Sequence, residues 1–324
     1  MSDMKYTYAV ARIRALETSL FSKETIEQLL GCHTKQQCLT FLGERNWGSV
    51  DVPTDDVESI LVCEKEKTWE LIRELLEDVS QFDVLLYPDL FHNLKAAIKK
   101  LAGATNRDDI FIANTSPSGE EMFDIIKLKE FHRLPKNMQT AAERALETLL
   151  HTGDGQLCDI IIDQATLNAI YEAGRVSGDE VVRKYAETLV ATANIKIAMR
   201  AYQTGKSIEF MRQSMSLCDT LDVEKLAEAT LQGMDAIQKY LEGTHYADGA
   251  QMLVQASSMF ECWCDNQVMN IIRPQAHNPF SVGPLMAYLL ARENEIKTVR
   301  IILSGKFNEL SEDSIRERVR DMYV

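Results

Sequence analysis

Three segments of the chain read as one element written three times. NLKAAIKKLAG, NIKIAMRAYQTG and EIKTVRIILSG begin at residues 93, 194 and 295, a constant step of 101, and end at Gly103, Gly205 and Gly305. Each opens with Asn or Glu, then an aliphatic residue, then Lys. Counting the aliphatic residue as i, positions i, i+3, i+4 and i+7 are Leu94, Ala97, Ile98 and Leu101 in the first copy. They are Ile195, Ala198, Met199 and Tyr202 in the second, and Ile296, Val299, Arg300 and Leu303 in the third. All but Arg300 are apolar or aromatic, the stripe of a helix that buries one face. The closing glycines suit the left-handed conformation that ends many helices. Amphipathic helices ending in Gly are common, so equal spacing is what the repeat adds. It points to a large helical body shaped by repetition rather than to a pocket built for chemistry.

The rest of the chain agrees with a helical reading. No proline falls between Pro135 and Pro274, and that stretch is rich in Ala, Leu, Glu, Lys and Met, all good helix formers. Val181, Val182, Tyr185, Ala186, Leu189 and Ala193 form a helical stripe; Ala229, Gly233, Ala236, Ile237, Tyr240 and Leu241 form a looser one. Near the end, Ile315, Val319 and Met322 follow helical spacing, with Ser311 or Asp313 available as a cap. Asp55 and Asp56 after Pro53 and Thr54 read as a helix start, Thr54 being the cap and the acids lying in the first turn. The best strand candidate, DIIID at 159–163, is too short to build a sheet. The fold class is therefore all-α. Turn residues gather at 43–53, 113–120, 151–156 and 273–284. Three repeats of roughly equal size give the divisions 1–115, 116–220 and 221–324. A length of 324 residues suits either three parts of about 100 residues or two of about 150.

Composition narrows the function. A hydrophobic content of 45% with 26% charged residues is a soluble globular balance. A net charge of −14 disfavours nucleic acid or anionic lipid as the main partner. The seven cysteines are an odd number without scaffold spacing, and MSDMKYTYAV lacks the pattern of a secretory signal, so reduced thiols are expected. No window approaches the roughly 18 apolar residues of a membrane span, and any membrane role is expected to be peripheral.

Catalytic chemistry is hard to find. Cys262-Trp-Cys264 directs two thiols apart on a helix and lacks a second ligand pair for zinc. Cys32, His33 and Cys38 cluster without partners, and the six histidines never form a metal-binding helix motif. Asp55-Asp56 and Asp108-Asp109 lack the third carboxylate of a magnesium motif. Gly153-Asp-Gly155 lacks the glycine and Lys-Ser/Thr of a phosphate loop. No catalytic residue, cofactor or metal is expected. The locally basic run KLKEFHRLPK at 127–136 reads as a solvated face or as a contact for an acidic partner.

The two ends of the chain carry a family resemblance. Near the start stand Tyr6, Tyr8, Ala11, Arg12, Arg14, Ala15 and Glu17. Near the end stand Gly283, Ala287, Tyr288, Glu293, Glu295 and Ile296, with Arg292 where the family often has Lys and Thr298-Val299-Arg300 where it has Asn-Ile-Arg. Together they resemble the C subunits of the prokaryotic A/V-type rotary ATPases, counterparts of the d subunit of the vacuolar ATPase. The resemblance runs the whole length, though the middle is diverged. It implies a funnel-shaped, all-helical, pseudo-threefold body without an active site. It implies a central-rotor role: a socket that receives the central shaft and sits on the membrane proteolipid ring, peripheral to the cytoplasmic face, in ATP-linked proton or sodium transport. It implies neither which ion is carried nor the direction of operation. The motif residues Tyr6, Tyr8, Arg12, Arg14, Glu17, Gly283, Tyr288, Glu293 and Glu295 are structural or rotor-contacting. Arg14 and Glu17, three apart on one helix, can pair. Glu293 and Glu295 fall on different faces, so at most one faces the core cheaply. The alternatives are a helical enzyme with a small-molecule pocket, or a generic helical adaptor.

Overall fold

The computed structural model describes residues 6–49, 56–103 and 110–324. All regular structure among them is helical. In chain order the helices are α1 (Thr7–Glu17), α2 (Lys23–Leu30), α3 (Lys35–Gly43), α4 (Val57–Leu75), α5 (Asp83–Leu101), α6 (Gly119–Leu128), α7 (Lys136–Thr152) and α8 (Gly155–Val176). They continue with α9 (Glu180–Thr204), α10 (Ile208–Ser214), α11 (Val223–Gln232), α12 (Met234–Glu242), α13 (Ala247–Gln255), α14 (Ser257–Ile272), α15 (Gly283–Phe307) and α16 (Glu312–Arg316).

Side-chain caps start most of these helices. Ser22, Asp56, Asp154, Asp179, Ser207, Asp222 and Ser311 each accept from a backbone N–H of the first turn. Thr34 with Gln37, and Ser118 with Glu121, close reciprocal capping boxes. Several sequence expectations shift at this level. Asp56 caps α4; Thr54 and Asp55 lie outside the described residues, as do Asp108 and Asp109. The 159–163 segment is the interior of α8. The looser stripe from Ala229 to Leu241 is two helices, because Gly233 turns the chain between them at φ +115°. The last helix is only Glu312–Arg316, yet Ile315 and Met322 still reach one core.

The chain packs as two compact units. One joins residues 1–79 to 248–324, and the other is 80–247. In the first, α15 is the axis: 18 of its residues are buried, as befits a helix apolar on every side. Helices α1 to α4, α14 and α16 pack around it. Ile26, Leu29, Leu42 and Trp47 meet Val299, Ile302 and Leu303 there. In the second unit α5 packs on α6 and α8, and α8 on α7 and α9. Leu94 and Ile98 of α5 lie among Met122, Ile126, Met138, Leu146 and Ile162. Gly174 lets α8 lie directly on α9, where any Cβ would overlap that of Ala186.

The repeated segments are α5, α9 and α15 from their middles onward. Their stripes bury Leu94, Ala97 and Ile98; Ile195, Ala198 and Met199; and Ile296, Val299 and Leu303. Gly103 and Gly205 take the expected left-handed conformation, at φ +73° and +62°. Gly305 does not: it lies inside α15, and a Cβ there would stand 2.6 Å from Cγ1 of Ile315. The third copy uses its glycine for close packing of α16, and its helix runs on.

Candidate functional site

The first residue of each repeated segment is buried and holds a loop. Asn93 Nδ2 donates to the Ile112 carbonyl and to Thr115 Oγ1, each at 2.8 Å, while Ile112 N–H donates to Asn93 Oδ1 at 2.8 Å. Asn194 Nδ2 donates to the Ser216 carbonyl at 2.7 Å, and Ser216 N–H donates back at 3.0 Å. Glu295 accepts from Phe21 N–H at 3.0 Å. A polar residue at the head of an apolar stripe would be costly unless partnered, and in all three copies the partner is loop backbone. Each pinned loop leads to the next capped helix: α6 after Ile112, α11 after Ser216, α2 after Phe21.

In the third copy the amide has become an acid, and a charged network surrounds it. Arg292 donates to Glu295 at 2.8 Å and to Glu64 at 2.5 Å, with its guanidinium over the Trp47 ring at 5.2 Å. Glu64 accepts in turn from Gly48 N–H at 2.9 Å and Lys67 at 2.7 Å, and Lys67 also donates to the carbonyls of Asn46 and Gly48. Two cations and two carboxylates thus tie the 19–22 and 46–49 loops to α15 and α4. Burial pushes the Glu295 carboxyl up to about 7, although Arg292 and the Phe21 N–H pull the other way. At neutral pH its protonated form resembles the amides at 93 and 194. Tyr288, two turns earlier on the same face of α15, is buried and its phenol is also raised by burial. Glu293 is half-buried and Glu295 fully so, the division expected from their faces.

The N-terminal motif splits in two. Arg14 and Glu17 pair at 2.6 Å. Arg14 also donates to the carbonyls of Gln275 and Asn278, and Tyr323 OH donates to Glu17 at 3.3 Å. Burial, then the Glu17 carboxylate, raise the Tyr323 phenol to about 12. This cluster fastens α1 and Tyr323 to the turn that opens α15, where a Cβ on Gly283 would have to displace the side-chain amide of Gln275. Tyr6 is half-buried. Tyr8, Ala11, Arg12 and Ala15, by contrast, share the solvent face of α1, with Tyr8 74% exposed.

Nothing among the described residues assembles a catalytic or metal-binding constellation. No three His, Cys, Asp or Glu residues come together to hold a metal ion. Cys264 is buried, and Cys262 Sγ donates to the Val319 carbonyl at 3.4 Å. A groove of about 870 Å³ along α7 and α8 is lined by Lys136, Thr140, Arg144, Ala165, Ala169 and Glu172 among others. No described helix is long and apolar enough to cross a membrane.

The sequence profile of the ATP synthase (C/AC39) subunit family matches residues 9–318. The chain belongs to this family. It is 23% identical to the C subunit of the V-type sodium ATPase of Enterococcus hirae, over 99% of both chains. It is 22% identical to the C subunit of the A-type ATP synthase of Methanocaldococcus jannaschii, over 96% of this chain and 85% of that one. A third relative, the C subunit of the A-type ATP synthase of Halobacterium salinarum, is 23% identical over 96% of each.

As a C/AC39 subunit the chain is a non-catalytic component of a V/A-type rotary ATPase, and works with other subunits of that complex. The family motifs then divide by location. Gly283, Tyr288 and Glu295 are buried, Arg14 and Glu17 are half-buried, and Tyr8 and Arg12 are exposed. Sequence reasoning passed over Asn93, Asn194 and Glu64. The two asparagines were visible as the repeated opening letter. Their signal was a polar residue standing one position before each buried stripe. Glu64 gave no such signal, since its partner Arg292 is 228 residues away.

Proposed function

We propose that this protein is the rotor socket of its complex: three related repeats arranged as a funnel around an axis, receiving the central shaft and resting on the membrane proteolipid ring at the cytoplasmic face. Divided at 1–115, 116–220 and 221–324, the chain places one loop-pinning residue in each part. The observation that carries this reading is that recurrence: Asn93, Asn194 and Glu295 stand 101 residues apart, each at the head of a buried stripe and each bonded to loop backbone. Three copies of one polar pin support duplication more strongly than three amphipathic helices do. Family membership supplies the complex, and a helical chain with no metal-holding cluster among its described residues suits a part that transmits torque. The ion carried belongs to the ring, and the direction of operation to the gradient across the membrane.

The test is removal of this chain from the host membrane complex. ATP hydrolysis by the detached catalytic head is expected to continue while ATP-driven ion transport stops, and adding back the purified chain is expected to restore transport. Transport that persists at its original rate without the chain would refute the socket role.

A further inference from the structure

The one break in the repeated stripe opens a pocket. Where the first two copies bury Ile98 and Met199, the third has Arg300, its side chain 48% exposed and paired with Glu58 at 2.6 Å. Beside it lies a cavity of about 320 Å³, bounded by α14, α15 and the C-terminal segment. Three arginines are among its lining residues: Arg300, Arg318 and Arg320. Ser258 and Ser304, each carrying a hydroxyl, also line it. Arg320 is held in place, donating through Nε to Asp265 at 2.8 Å and through Nη1 to the Arg318 carbonyl. Arg318 is exposed, and its guanidinium has no ion pair among the described residues. Glu58 offsets Arg300 and Asp265 offsets Arg320, so Arg318 is the lining cation whose charge is left for a ligand.

We propose that this pocket binds a phosphate ester. Guanidinium forks and hydroxyls match phosphate oxygens in geometry and charge. The volume is at the lower end of small-molecule sites and exceeds what a bare phosphate fills. Ile301, Leu310 and Ile315 give the pocket an apolar wall for the carbon part of an ester. Glu261, the single carboxylate of the lining, repels a second anionic group but accepts from a hydroxyl, which favours an ester carrying a free hydroxyl beside its phosphate. A soluble glycerol or sugar phosphate and a phosphatidylglycerol headgroup share that chemistry.

The probes are glycerol 3-phosphate, followed by calorimetry, and vesicles of phosphatidylglycerol or phosphatidylcholine, followed by co-sedimentation, each with the purified full chain. Saturable binding of glycerol 3-phosphate, of phosphatidylglycerol vesicles, or of both is expected, with no binding to phosphatidylcholine. Arg318→Ala is expected to weaken it about tenfold or more, the loss of a charge-assisted contact. Arg316→Ala is expected to leave it unchanged, because Arg316 pairs with Glu27 and Glu312 away from the pocket. Binding of glycerol 3-phosphate alone identifies a soluble ester, and binding of the anionic vesicles alone a lipid headgroup. Absence of saturable binding to either phosphate probe overturns the proposal. So does binding that Arg318→Ala leaves as strong as in the natural chain.

Discussion

Two residues of the repeat define what single side chains do here. Asn194 is fully buried and satisfies both backbone groups of Ser216, itself buried. Asn194→Ala leaves a donor and an acceptor stranded, at a cost of about 2–5 kcal/mol. A fall in the urea midpoint of the purified chain would register it, while Thr204→Ala at an exposed site would hardly move it. Glu295 tests the same position by pH. Its folded carboxyl titrates near 7, above the ordinary 4.5 of an unfolded Glu. The folded state therefore holds the proton more tightly. Its stabilising contribution is complete below pH 4.5 and is lost as pH rises through 7, about 3 kcal/mol in all. Glu295→Gln makes the third pin an amide like the other two and removes that titration. Unfolding measured at about pH 4 and about pH 8, on either side of the window, is expected to show a steeper loss in the natural chain than in the variant. Parallel curves would mean that Arg292 keeps Glu295 ionised throughout.

Elements depend on how closely helix backbones approach. Gly174 sits where α8 meets the Ala186 Cβ of α9, and an alanine Cβ has no rotamer with which to give way. Gly174→Ala is expected to cost about 1–3 kcal/mol by overpacking, seen as a lower melting temperature of the full chain. Gly103→Ala has open space around it and is expected to cost only the left-handed strain, about 1 kcal/mol. These two glycines show what is legible in sequence. The αL role of Gly103 follows from its place after a helical stripe. The role of Gly174 depends on a neighbour in another helix, which no local pattern encodes. The same limit explains Gly305, whose expected role as a helix end is overridden by Ile315 packing on it. It also explains the far end of the chain. The spacing of Ile315, Val319 and Met322 correctly marks three residues that share a core, yet packing against α15 is achieved by a short helix and an irregular tail. Apolar periodicity reports burial; the continuity of the helix is decided by caps and by contacts far away in sequence.

At the scale of the whole molecule, the question is which surfaces meet the rest of the rotary complex. Sequence resemblance marked residues of α1 as a motif but could not separate those that hold the fold from those that face outward. Burial and bonding separate them. Arg14 and Glu17 join α1 to the turn before α15 and to Tyr323, so Arg14→Ala is expected to destabilise the isolated chain by about 1–3 kcal/mol. Tyr8 and Arg12 lie one helical turn apart on the exposed face, with Ala11 and Ala15 between and beyond them. An aromatic ring and a guanidinium over small residues form the kind of patch that anchors protein interfaces. A chain with Tyr8→Ala and Arg12→Ala is expected to keep its melting temperature, since such surface changes stay within about 0.5 kcal/mol. Its retention in the membrane-bound complex is expected to fall at least tenfold, as measured by co-purification with the other subunits at fixed salt. Arg14→Ala should show the reverse order, losing stability first and assembly only as the fold weakens. If the double variant assembles as well as the natural chain, the outward half of the motif is surface without a partner, and the protein must grip its neighbours elsewhere.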